Sequence, residues 1–80
     1  MPTGDEKLTA LLADLREMAS YLHGQGEKKL ALARRFEEDA KKDAANREFD
    51  LSQAKMLDYQ HYIWHEIANM VEKLVKQYEK

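Results

Sequence analysis

Residues 49–78, FDLSQAKMLDYQHYIWHEIANMVEKLVKQY, carry the single tryptophan, three of the four tyrosines and a dense set of aliphatic side chains. Steps of three and four residues on either side of Ile67 collect Phe49, Gln53, Met56, Gln60, Ile63, Trp64, Met70, Val71, Leu74 and Tyr78. This is the recurrence by which a helix presents one apolar stripe. Lys55, Asp58, His65, Glu72 and Lys76 fall on the other side, where water can solvate them. The stretch predicts one long helix whose stripe must be covered by the N-terminal half of the chain or by another copy of it.

Upstream, Thr3 and Glu6 form a capping-box pattern, and Asp5 and Glu6 place negative charge at the start of a helix. Leu8, Leu11, Leu12, Leu15, Met18, Ala19 and Leu22 then recur at heptad spacing and predict a first helix over about residues 5–23. Gly24-Gln25-Gly26 follows His23 and reads as a tight helix-to-helix turn. A second helix over about residues 27–46 has a thin apolar face, Leu30, Ala33, Phe36, Ala40 and Ala44. Its remaining surface mixes acids and bases, so it offers phosphates no clear basic patch.

Carried forward at about 100° per residue, the alanine stripe of this second helix arrives roughly half a turn away from the stripe through Phe49, Met56 and Ile67. Either the chain breaks between residues 45 and 50, with Asn46 as a C-cap and Asp50 with Gln53 opening the next helix, or one continuous helix turns its two halves toward different partners. The break is the favoured reading, although no Gly or Pro occurs from residue 27 to the end. The fold expected is all-α: an antiparallel helical hairpin or a three-helix bundle with a long C-terminal helix over about residues 50–79. Residues 1–80 form one domain, which packs into an oligomeric helical bundle of coiled-coil type.

The bulk numbers agree. Eighty residues sit near the lower limit of independent stability, so self-association is a natural source of extra burial. A composition 44% hydrophobic and 35% charged, with few Gly and Pro, suits helical bundles. A formal charge of −2 argues against nucleic acid or an anionic membrane as the main partner. Without cysteine there is neither a disulfide nor a thiolate metal site. No window approaches the roughly 20 apolar residues of a membrane span, and the polar, acidic start is unlike a secretory signal, so a cytoplasmic location is expected.

No residue pattern points to catalysis: Thr3, Thr9, Ser20 and Ser52 have no arranged base, and the chain is expected not to be an enzyme, with no small-molecule substrate and no cofactor. His61 and His65, four residues apart with Asp58 just before them, have the spacing of a metal-binding pair. Measured from the Ile67 stripe they point outward, so they are weak candidates only, and a metal-binding bundle is a minor reading. The interface residues expected are Tyr62, Trp64, Ile67, Met70, Val71, Leu74, Val75 and Tyr78. Leu8, Leu11, Leu15, Met18 and Leu22 should pack on Met56, Ile63, Ile67 and Met70, while the end of the last helix overhangs and meets a second chain. The function expected is a helical protein-interaction or oligomerisation module, a homodimer or higher oligomer. The alternative is a small regulatory or inhibitory protein, of phage or immunity type, that docks on a larger protein partner.

Overall fold

The computed structural model describes residues 4–79. Helix α1 spans Gly4–Lys42 (39 residues) and helix α2 spans Arg47–Tyr78 (32 residues), joined through the short 3₁₀ turn Ala44–Asn46. The two pack along their lengths as an antiparallel hairpin. A three-helix bundle is therefore excluded, and Thr3 of the expected capping box lies outside the described residues.

The turn expected at Gly24-Gln25-Gly26 is absent, because α1 runs straight through it and neither glycine adopts a positive φ. Glycine inside a helix costs about 1 kcal/mol relative to alanine, and at Gly26 the cost is offset by closeness. Gly26 is buried, and a Cβ there would stand 3.3 Å from the backbone oxygen of His61 and closer still to the His65 ring. Gly24 is different, since nothing lies within 4 Å of where its Cβ would be.

The break between the helices is real and comes slightly earlier than expected. Asp43 takes an extended conformation (φ −125, ψ 97) that ends α1. Its carboxylate accepts hydrogen bonds from the Ala45 N–H at 3.1 Å and the Asn46 side-chain amide at 2.7 Å. Arg47 Nε donates to the carbonyl of Ala40 at 3.1 Å, capping one of the carbonyls that a helix end leaves without a partner. Asn46 thus precedes α2 and makes no side-chain cap bond of its own, and Asp50 lies buried in the first turn of α2.

One seven-residue series organises the contact between the helices. In α1 it is Leu12, Ala19, Gly26, Ala33 and Ala40, all buried; it continues through Arg47 into Ala54, His61, Ala68 and Val75 of α2. Ala40 faces Arg47 and Gly26 faces His61. The same antiparallel register places Ala33 across from Ala54, Ala19 across from Ala68 and Leu12 across from Val75. Small residues at the centre let the backbones approach closely: His61 lies opposite Gly26 and Arg47 opposite Ala40, while Leu12 and Val75 close one end. Ala33 and Ala68 are 0% exposed.

A seam of alanines buries little apolar area, so the large side chains must go elsewhere. The hairpin measures 63 × 19 × 13 Å with a radius of gyration of 18.4 Å. A compact chain of this length would have a radius of about 12 Å. Its accessible surface of 6338 Å² exceeds by about 1,300 Å² the value expected for a compact protein of its mass. This is a layer one helix thick, with two broad sides and no enclosed core.

Candidate functional site

The two sides of the layer differ in chemistry. On one, Leu8, Leu15, Leu22 and Phe36 follow the seam of α1, with Leu11, Met18 and Leu32 beyond them. From α2 come Leu57, Trp64, Val71 and Tyr78, with Ile67 and Leu74 beyond and Met56, Ile63 and Met70 at the outer edge. A groove lined by Lys29 of α1 and Gln60, Ile63, Trp64 and Ile67 of α2 marks this side; Leu8, Leu15, Leu22 and Phe36 share the seven-residue position of Lys29, and Leu57, Val71 and Tyr78 share that of Trp64. Of the apolar seam-flanking residues just named only Leu57 is buried; Ile67 is 42% exposed, Leu74 45% and Met70 65%.

The expected packing of Leu8, Leu11, Leu15, Met18 and Leu22 on Met56, Ile63, Ile67 and Met70 is corrected by this arrangement. Those residues lie side by side on one surface instead of face to face in a core. The C-terminal turns do not overhang either, because Tyr78 and Glu79 line a groove with Leu8, Leu12 and Arg16 of α1. Among the interface residues expected, Trp64, Ile67, Met70, Val71, Leu74 and Tyr78 lie on the apolar side. Val75 is buried in the seam, and Tyr62 projects from the other side, 62% exposed.

That other side is a polar ladder. Arg16 pairs with Glu79 and Arg34 approaches Asp58 at 3.9 Å, while His23 stands 2.6 Å from Glu72 and His65 3.0 Å from Glu27, ion pairs only when the rings are protonated. These partly exposed pairs stabilise little individually, within about 1 kcal/mol each. Their sequence along the helices does fix the antiparallel register.

All three histidines of the chain meet in the middle of this ladder. His23 and His65 rings lie 4.8 Å apart between centroids, and His61 and His65 lie 4.5 Å apart edge to face. The outward orientation expected for His61 and His65 is thus overturned: both are half-buried against α1. They seemed to face water only because the stripe used as reference is itself the exposed one. Asp58 is not part of the cluster, being turned toward Arg34. Glu27 and His23, which spacing along α2 could not reveal, take its place.

Among the described residues, no helix is long and apolar enough to cross a membrane. No protein family, curated protein or solved structure matches the chain.

Proposed function

We propose that this chain is a helical oligomerisation module that joins a second copy of itself through the apolar side of the hairpin. The observation that carries the reading is the set of large apolar side chains, Leu11, Met18, Ile67, Met70 and Leu74 among them, left exposed on a molecule one helix thick. Soluble monomers rarely leave contiguous apolar patches beyond a few hundred Å² uncovered. Stacking two such layers gives a four-helix bundle, in which side chains now on a surface become a core. A standard interface buries about 800 Å² per partner, which the excess accessible surface of this hairpin can supply.

Self-pairing suits the chemistry of the face. Lys29 lines the groove beside Trp64 and Ile67, and an isologous two-fold contact lets each copy cover the other. The polar ladder then faces outward on both sides of the bundle and keeps the assembly in solution. Co-expression of two differently tagged copies tests the reading: each tag should recover the other copy in equal amount. Failure of the two copies to co-purify would refute self-pairing. Tyr59 and Tyr62, exposed and away from the apolar side, favour as a second reading the docking of the chain on a larger protein. That reading predicts a stoichiometric foreign partner bound through these tyrosines.

A further inference from the structure

We infer that the hairpin carries a binding site for a divalent transition-metal ion of the zinc type, held by Glu27 of α1 and by His61 and His65 of α2. One ligand atom from each of the three lies within 4.8 Å of the others. Zinc bonds of about 2.0–2.2 Å place tetrahedral ligand atoms roughly 3.3 Å apart. His65 Nε2 and Glu27 Oε1, at 3.0 Å, are already at that spacing. Two imidazoles and a carboxylate suit zinc and its neighbours better than the harder calcium or magnesium.

The hydrogen bonds around the cluster decide which nitrogens are free to bind. His61 Nδ1 lies 3.0 Å from the Gly26 carbonyl, which can only accept, so Nδ1 carries the proton and Nε2 keeps its lone pair. His23 Nε2 lies 2.6 Å from a Glu72 carboxylate oxygen and therefore donates to it. With His23 neutral, its Nδ1 is the acceptor for His65 Nδ1, 2.6 Å away. That leaves His65 Nε2 with a lone pair aimed at a Glu27 carboxylate oxygen. Two acceptors at that distance repel unless a cation stands between them. A proton can serve, and so can a metal ion, to which His61 adds a further ligand atom within 4.8 Å.

The outer partners are those that metal-ligating histidines generally need. His61 is oriented by a backbone carbonyl, and His65 by a relay through His23 to Glu72. Gly26 provides the room, since any side chain there would meet His65 Nε2. Glu27 is exposed, so an ion can reach the site from solvent and keep water as its fourth ligand. Bound there, it would tie α1 to α2 at mid-length, where the alanine seam supplies little burial.

Calorimetric titration of the intact chain with zinc chloride tests the site. The expected result is a saturable isotherm of one ion per chain, with a rise in melting temperature as zinc is added. Glu27→Ala, which changes an exposed side chain and leaves the helical circular dichroism intact, should weaken binding about tenfold or more. His23→Ala should weaken it by about 10- to 100-fold, as loss of an outer partner does. Absence of saturable binding would overturn the proposal. So would an unchanged affinity in Glu27→Ala, because the ion would then be held by the two histidines of α2 alone.

Discussion

Gly26 lies beneath the imidazole of His65, so close that a Cβ at position 26 would stand 2.9 Å from both His65 Cδ2 and Nε2. The ring is held from its other side by His23 and cannot retreat freely. Alanine improves helix propensity by about 1 kcal/mol over glycine, while overpacking costs typically about 1–3 kcal/mol. Gly26→Ala should therefore lower stability by about 1 kcal/mol in thermal or urea unfolding.

Gly24, two residues away, supplies the control. It is exposed, helical and faces open space, so Gly24→Ala should raise stability by about 0.5–1 kcal/mol. The opposite signs of the two substitutions separate a close-packed helix from a turn at this point. Were residues 24–26 a turn, both alanines would be tolerated or both would destabilise.

The alanine seam makes a comparable prediction about size. Ala33 and Ala68 are fully buried, and leucine at either position must push the helices apart. Ala33→Leu should destabilise by about 1–3 kcal/mol, despite added hydrophobicity. Ala31→Leu, at an exposed position of the same helix, should change stability by less than about 0.5 kcal/mol. Urea unfolding of the pair measures the difference.

Asp43 ends α1 and organises the connection through two accepted hydrogen bonds. Asp43→Ala removes both and should cost about 0.5–2 kcal/mol, the range for loss of a capping side chain. Arg16→Ala, which breaks the exposed pair with Glu79, should cost less than about 1 kcal/mol.

The helical class, the C-terminal helix and the break near residue 45 were legible in the sequence because large apolar residues mark helix faces and Asp and Asn mark ends. The half-turn offset between the stripe of Ala33 and Ala40 and the stripe of Phe49, Met56 and Ile67 was legible too. Its meaning lay in tertiary structure: the small residues face the neighbouring helix and the large ones face away. Following the bulkiest side chains led to the outer surface. The repeat of small residues at 19, 26, 33 and 40, resumed at 54 and 68, was the available signal for the inner one. Gly24-Gln25-Gly26 carries no local mark that distinguishes a turn from a close approach, since both need a missing Cβ. Once the seam is known, His61 falls in it and His65 beside it, and the histidine cluster follows.

Sedimentation velocity at micromolar concentrations reads whether a second copy covers the apolar side of the hairpin. The wild-type chain should sediment as a dimer or higher oligomer. Leu74→Asp, which places a charge on that side at an exposed residue, should sediment as a helical monomer. A wild-type chain that remains monomeric at high micromolar concentration, with helical content equal to that of Leu74→Asp, would mean that no second copy covers this side.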